Sequence, residues 1–215
     1  MFTHTSLASI MFGVYYWDIY QFTVLNEGKI LTIKLSQRVQ NIKPSPTLAI
    51  TARAAALRAE GKDVIGLGAG EPDFDTPEHI KQAAIEAIHS GKTKYTPVDG
   101  TADLKDAIIK KFSRDNGLEY AANQVLVSVG GKQSFFNLAQ AFIEAGDEVI
   151  IPAPYWVSYP DMTLLADGVP VIIEAGQENQ FKITPEQLEA AITDKTKLFV
   201  INSPSNPTGM AYSLK

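Results

Sequence analysis

Short apolar runs alternate with helical segments through most of this 215-residue chain. The apolar runs, which are typical of buried strands, lie at residues 64–67, 125–129, 148–151, 169–173 and 198–201. The helical segments between them lie at residues 47–60, 76–91, 101–114, 133–144 and 184–192. Strands that alternate with helices predict an α/β fold, in which a mostly parallel sheet is covered on both faces.

Local signals place several helix ends. Gly61 is expected to cap the first long helix, because glycine readily adopts the left-handed conformation found after a helix. Thr76, followed by proline and glutamate, predicts a helix start with a capping hydroxyl, and Gly91 is expected to close that helix. Thr184 and Gln187 have the spacing of a capping box and predict the start of the last helix.

Composition narrows the classes of function. The chain is 45% hydrophobic and 20% charged, as soluble globular proteins are, and its net charge of -5 argues against nucleic acid or an anionic membrane as partner. The absence of cysteine excludes disulfides, a thiol nucleophile and cysteine-ligated metals, and fits a cytoplasmic protein. His79 and His89 are ten residues apart in one predicted helix and do not share a face, so no metal site is predicted.

Residues 1–34 differ from the rest because aromatic side chains crowd them. The segment has no basic residue before Lys29, and Asp18 interrupts its apolar part, so it matches neither a secretory signal nor a membrane span. We favour its interpretation as non-native translation upstream of the true start. The alternative is an aromatic docking segment.

Three loops that follow predicted strands contain residues suited to ligand binding, because parallel strands present their carboxyl ends at one edge of the sheet. Gly130 and Gly131 precede a helix whose free N–H groups suit a phosphate, although an ordinary turn fits equally well. Trp156 offers a flat surface to a heteroaromatic ring, or it is a core residue. Asn206 can donate a hydrogen bond to an oxyanion, while an Asn-Pro pair alone is most often a turn.

Two further loops supply weaker candidates. Gly70 could present its backbone N–H to a carboxylate, or it belongs to a tight loop without a ligand. Tyr95 has a hydroxyl that could reach a phosphate, or it lies in a solvated basic loop.

Together these loops resemble successive motifs of class I aminotransferases, which use pyridoxal 5′-phosphate (PLP), and of bacterial aspartate aminotransferases in particular. The motifs are Gly-Glu-Pro-Asp-Phe (70–74), Lys-Tyr-Thr-Pro (94–97), Gly-Gly-Lys-Gln (130–133), Pro-Tyr-Trp-Val-Ser-Tyr (154–159) and Asn-Pro-Thr-Gly (206–209). The resemblance covers residues 35–215 and implies the large domain of a fold type I PLP-dependent transferase. It assigns residues 35–46 to an N-terminal arm or small-domain segment and residues 47–215 to an incomplete PLP-binding domain.

The resemblance also implies roles for single residues in cofactor binding. Gly131 and Lys132 would hold the cofactor phosphate, Trp156 would stack on the pyridine ring, and Asn206 would hydrogen-bond the phenolic oxygen. Tyr95 would reach the phosphate of the neighbouring subunit, since the family forms homodimers with shared sites.

For the substrate, the resemblance points to Gly70 at the α-carboxylate and to Trp156 and Asn206 as further substrate-binding residues. Lys43 resembles a lysine that contacts the distal carboxylate of dicarboxylic substrates in one subgroup, some of whose members accept prephenate. The Asn206–Pro207 bond is expected to be cis, and Ala153–Pro154 as well.

The implied activity is transfer of the amino group of L-aspartate to 2-oxoglutarate. In the family the catalytic lysine, an acid opposite the pyridine nitrogen and an arginine for the α-carboxylate all follow Asn-Pro-Thr-Gly, so none of them is expected in the six residues after Gly209. We therefore expect no catalytic residue in this chain and no activity from it alone. Prephenate, aromatic or alanine transamination is the alternative in the same chemistry, and a non-catalytic PLP-binding or dimerisation fragment is the alternative in another class.

Overall fold

A computed structural model of the chain describes residues 21–26, 29–68 and 70–213, with side chains from residue 34 onward. The chain divides into two units, residues 1–41 and 42–215. In the first unit, strands β1 (Gln21–Asn26) and β2 (Lys29–Lys34) pair antiparallel, and a one-turn helix, α1 (Gln37–Gln40), follows. Within the aromatic segment at residues 1–34, residues 1–20 lie outside the described residues, and both interpretations of the segment remain predictions.

The second unit contains the predicted alternation of helices and strands. Its helices are α2 (Pro46–Ala59), α3 (Glu78–His89), α4 (Ala102–Asn116), α5 (Gly130–Phe142), α6 (Ser158–Leu165) and α7 (Pro185–Ala191). Its strands are β3 (Glu148–Ala153), β4 (Val169–Glu174) and β5 (Thr196–Phe199). Across the described ranges, no helix is both long enough and apolar enough to cross a membrane.

The three strands of the second unit form a parallel sheet in the order β4-β3-β5. Glu148 at the start of β3 lies opposite Val169 of β4 and Thr196 of β5. Beyond the end of β5, the N–H of Val200 still donates to the carbonyl of Ile150 at 2.9 Å. The predicted parallel α/β arrangement is therefore confirmed, and the carboxyl ends of β3 and β5 lie side by side.

The core is built around the central strand β3. Val149, Ile150 and Ile151 are each 1% exposed or less, so both faces of this strand are covered, as the apolar run predicts. Val149 and Ile151 pack with Ala139 of α5 and with Ile143 at its end. Burial of apolar surface thus fixes α5 against the sheet, and with it the loop that precedes α5.

Several predicted helix ends are confirmed. Gly61 has φ +80° directly after α2, and Gly91 has φ +77° after α3. The hydroxyl of Thr184 accepts from the N–H of Gln187, whose side chain accepts in return from the N–H of Thr184, which completes the capping box. The predicted cap at Thr76 is wrong, because Pro77 occupies the N-cap of α3 and no side-chain cap bond forms there.

Two predicted strands, residues 64–67 and 125–129, are not strands in the structure. Val125 is extended, with φ -117° and ψ 124°, but a strand also needs a neighbour to complete its ladder, and the described residues provide none. Among the groups that pair instead, the carbonyl of Val64 accepts from the Arg58 side chain and the N–H of Val127 donates to the carbonyl of Asp99. Ile65 and Leu67 remain 84% and 92% exposed.

The element boundaries near the candidate site also differ from the prediction. Helix α6 begins at Ser158, inside the proline-rich segment at residues 152–160. The helix tolerates Pro160 because this residue lies in the first turn, where a backbone N–H would have no hydrogen-bond partner within the helix. Helix α5 begins at Gly130 rather than Gln133, so both glycines belong to the helix start. Strand β5 begins and ends two residues earlier than residues 198–201.

An ion pair between a buried lysine and a half-exposed aspartate holds the loop before α4. Lys105 is only 7% exposed, and its ammonium group donates to the carboxylate of Asp99. The adjacent Gly100 has φ +106°, and a Cβ there would lie 2.5 Å from Cγ2 of Val127. Only glycine therefore permits this close approach of the loop to the extended segment before α5.

This ion pair predicts an acid-sensitive component of stability. The hydrogen bond from Lys105 is the largest cause that holds the pKa of Asp99 below its ordinary value of 3.8. An acid with a lowered pKa in the folded state stabilises the protein above its ordinary pKa, and this contribution disappears as the pH falls through the lowered value. The unfolding free energy of the wild type should fall on acidification below about pH 4, in part because the Asp99 carboxylate becomes protonated. Asp99→Asn has no carboxylate at this position, so its unfolding free energy should fall less over the same pH range. Urea unfolding at several pH values measures it.

Asp106→Asn is the matched control. Asp106 lies exposed on α4, the helix that contains Lys105, and forms no ion pair within the described residues. Its pH dependence should follow the wild type. Identical profiles for the two variants would contradict a stabilising role for the Asp99–Lys105 pair.

Candidate functional site

A cleft lies at the carboxyl ends of β3 and β5, where the chain leaves the two neighbouring strands. The residues after β3 and those after β5 form most of its lining, and Phe181 comes from the loop before α7. The cleft opens to solvent. This is the edge of an α/β sheet at which ligands bind.

Trp156 forms an aromatic wall of this cleft. It follows a cis bond between Ala153 and Pro154, as expected, and is half-buried. Its ring meets Tyr159 edge-on at 5.3 Å between centroids, and Tyr159 meets Phe135 of α5 edge-on at 5.1 Å. These contacts hold the indole between α5 and α6 while it lines the cleft.

Asn206 lies in the loop that follows β5, and hydrogen bonds within this loop fix its shape. The backbone N–H of Asn206 donates to Oδ1 of Asn202 at 2.9 Å, and the N–H of Gly209 donates to the carbonyl of Ser205 at 2.8 Å. The Asn206–Pro207 bond is cis, as expected, and Ser203–Pro204 is also cis. Asn206 is exposed and lines the cleft, and its side chain has no hydrogen-bond partner among the described residues.

The start of α5 presents unpaired backbone donors. Within the described part of the chain, the N–H groups of Gly131 and Lys132 have no partner, as is usual in the first turn of a helix. No atom lies within 4 Å of a Cβ built on Gly131, so the backbone there is open to a ligand. A group of N–H donors at the positive end of a helix suits a phosphate.

Lys132 connects this helix start to the cleft. Its Nζ lies 5.2 Å from the centroid of the Trp156 ring. The charge of Lys132 also acts on Asp161 in α6, and so does the charge of Lys43. Burial raises the pKa of the Asp161 carboxyl, and the two lysines oppose that rise. Lys43 thus acts on the same carboxyl as Lys132, although it does not line the cleft.

Among the sequence candidates, Trp156 and Asn206 line the cleft, whereas Gly131, Lys132, Lys43, Gly70 and Tyr95 do not. Gly70 is exposed, and the residues after it line a separate groove against α2. Tyr95 is fully exposed in the loop before α4. Neither residue contacts Trp156 or Asn206 through any described hydrogen bond or ring contact.

Several cleft residues were missed by sequence reasoning. Tyr159 lies inside the Pro-Tyr-Trp-Val-Ser-Tyr motif and could have been found as a neighbour of Trp156. Phe181 and Tyr212 gave no such signal, because each comes from a loop outside the quoted motifs.

The family model for aminotransferase class I and II matches residues 62–215, which is more than half of the chain. The chain therefore belongs to this family.

Named relatives and solved structures agree with that assignment. The chain is 69% identical over 183 residues to an aspartate/prephenate aminotransferase of Nitrosomonas europaea, covering 85% of this chain and 46% of that protein. It is 59% identical to an aspartate aminotransferase of Geobacillus stearothermophilus, covering 84% and 46%. The crystal structure of the aspartate aminotransferase of Rhizobium meliloti matches with a TM-score of 0.81 and 54% identity over 84% of this chain and 45% of that one.

The chain thus spans under half the length of these relatives. The matched crystal structure is that of a fold type I protein, and more than half of the aligned residues are identical. This match agrees with the α/β fold and parallel sheet described above.

The donor set of the site fits PLP. Unpaired N–H groups and an ammonium group at the start of α5 suit its phosphate, an indole beside them suits its flat ring, and an unpaired amide at Asn206 suits its phenolic oxygen. Trp156 and Asn206 share one cleft and Nζ of Lys132 lies beside the indole, although these groups come from segments up to 75 residues apart, from Gly131 to Asn206.

Proposed function

We propose that this chain holds PLP at the cleft between the ends of β3 and β5. Gly131 and Lys132 bind the phosphate, Trp156 stacks on the pyridine ring, and Asn206 donates to the phenolic oxygen. The observation that carries the proposal is that Trp156 and Asn206 line one cleft while Nζ of Lys132 lies beside the indole. When bound, PLP supplies an electron sink for the substrate's Cα–H bond.

Each protein group has a distinct physical task. The ammonium group of Lys132 and the N–H groups of α5 balance the negative charge of the phosphate. The indole fixes the tilt of the ring, because its own orientation is set by Tyr159. The amide of Asn206 stabilises negative charge on the phenolic oxygen and thereby favours its deprotonated form.

For the whole protein, we propose transfer of the amino group of L-aspartate to 2-oxoglutarate. The names of several relatives support aspartate as substrate. In this proposal Lys43 binds the distal carboxylate and Gly70 the α-carboxylate. Lys43 and Lys132 both act on the carboxyl of Asp161, and two positive charges in this region would favour anionic substrates.

We also propose a cytoplasmic homodimer. Tyr95 would serve the cofactor phosphate of the partner subunit, and its full exposure leaves its hydroxyl available to a second chain. The lack of cysteine and the acidic composition fit the cytoplasm.

Prephenate is a second candidate substrate, since the Nitrosomonas europaea relative is named for both aspartate and prephenate. Prephenate also bears carboxylates, so Lys43 suits either compound. Assays of the protein purified with its native termini, with prephenate in place of 2-oxoglutarate, separate the two substrates.

Binding of PLP by the 215-residue chain tests the cofactor proposal directly. We expect saturable binding with an induced circular dichroism signal in the absorption band of PLP, and competition by inorganic phosphate. After treatment with borohydride, we expect no stoichiometric pyridoxyl-lysine, and we expect no transamination by this chain alone. An adduct together with activity would support a catalytic fragment, while saturable binding without either favours the non-catalytic binding module. The absence of saturable binding would refute the site.

A further inference from the structure

Tyr212 joins two loops that both border the cleft. Its phenolic oxygen accepts a hydrogen bond from the N–H of Ile183 at 3.0 Å, across 29 residues of sequence. Its own backbone N–H donates to Oγ of Ser203 at 3.0 Å. One residue therefore connects the loop that contains Asn206, at residues 202–209, to the loop before α7, at residues 176–184.

The loop before α7 contains an unfavourable backbone conformation. Gln180 and Phe181 both have φ +55°, which is rare for residues other than glycine and unusual for a bulky one. The N–H of Phe181 donates to the carbonyl of Gly176 at 3.0 Å, and Phe181 lines the cleft. Such backbone persists only where surrounding contacts determine it, and Tyr212 supplies one such contact two residues later.

The Asn206 loop depends on contacts outside itself for its position. Its internal hydrogen bonds fix its shape, as described above, but they do not fix its place relative to the rest of the cleft. The hydrogen bond between Tyr212 and Ile183 crosses from the Asn206 side to the Phe181 side. Because the N–H of Ile183 is part-buried, loss of the phenolic oxygen would leave this donor unsatisfied.

We propose that Tyr212 is a positioning residue, whose hydroxyl holds the Asn206 loop and the Phe181 loop in one arrangement at the cleft. Its effect on PLP rests on the proposed function, since it acts through Asn206. The coupling of the two loops does not depend on the cofactor. Tyr212 touches no reacting atom in this proposal.

Tyr212→Phe tests the proposal, because it removes the oxygen and keeps the ring. Hydrogen exchange should become about tenfold faster at the amide of Ile183, as expected for a lost hydrogen bond, and also faster at Asn206 and Gly209. The dissociation constant for PLP should rise several-fold, and the induced circular dichroism per bound PLP should fall because the ring is held less firmly. Ser203→Ala removes the hydrogen bond from the N–H of Tyr212 to Oγ of Ser203 and should accelerate hydrogen exchange in the Asn206 loop.

Tyr120→Phe is the matched control. Tyr120 packs edge-on against Phe112 at 5.5 Å, and its hydroxyl has no hydrogen bond within the described residues. This variant should match the wild type in both measurements. Faster exchange confined to Ile183 in Tyr212→Phe would overturn the coupling, and unchanged PLP binding beside faster exchange in both loops would overturn the positioning role. If the wild type itself binds no PLP, the proposed function fails, while the exchange data still decide whether the loops are coupled.

Discussion

Replacement of Ile150 by alanine should lower the free energy of unfolding by about 2–5 kcal/mol, the range found for large-to-small changes in cores. Ile150 has no exposed surface and lies in β3 between Val171 of β4 and Phe199 of β5. Truncation there leaves a cavity at the centre of the sheet, which close-packed neighbours on both sides fill only in part. Urea unfolding of the 215-residue chain, followed by far-ultraviolet circular dichroism, measures the change.

Ile65→Ala provides the control of the same chemical type. Ile65 is 84% exposed, so its truncation should change the unfolding free energy by about 0.5 kcal/mol or less. If both variants lose the same stability, Ile150 does not lie at the centre of the folded core.

The sequence predicted the central part of the fold because its signals there are local and redundant. The run at residues 148–151 is apolar at nearly every position, which only a strand buried on both faces requires. The capping box at Thr184 and the glycine at position 61 each place a helix end through a specific backbone hydrogen bond or dihedral angle. These features need no knowledge of distant residues.

The errors in the prediction arise where structure depends on a distant partner. Residues 64–67 and 125–129 have the apolar character of strands, but a ladder also depends on a second strand that apolar character alone does not specify. The start of α6 is not evident from the sequence, because a proline that interrupts a helix and a proline in its first turn, such as Pro160, look alike.

The candidate site was predictable to the extent that strand order was predictable. Trp156 and Asn206 follow strands that lie side by side, so both reach the same cleft. Phe181 was not predictable, because its place in the cleft depends on positive φ at two consecutive residues, Gln180 and Phe181. Glycine or asparagine would have indicated such a conformation, and neither occupies these two positions. The influence of Lys43 on the Asp161 carboxyl likewise depends on tertiary structure, since these residues lie on segments distant in sequence.

Trp156→Ala should weaken PLP binding by about tenfold or more, because stacking of a flat heterocycle on an aromatic side chain is worth about 1–3 kcal/mol. The indole is half-buried, lines the cleft and is held edge-on by Tyr159, so its loss removes both the stacking surface and the fixed tilt of the ring. Titration of PLP against the chain, followed by induced circular dichroism, measures the dissociation constant. Inorganic phosphate should bind nearly as well as before, because Gly131 and Lys132 remain.

Trp156→Phe separates stacking from a general loss of structure. Phenylalanine keeps an aromatic face and a contact for Tyr159, so this variant should bind PLP with an affinity between those of the wild type and the alanine variant. Urea unfolding of both variants measures the contribution of the indole–Tyr159 contact to the fold, which is expected to be about 0.5–1.5 kcal/mol. Equal weakening of phosphate and PLP binding in Trp156→Ala would mean that the indole shapes the start of α5 rather than the ring site. Unchanged PLP binding in that variant would place the ring elsewhere and remove Trp156 from the site.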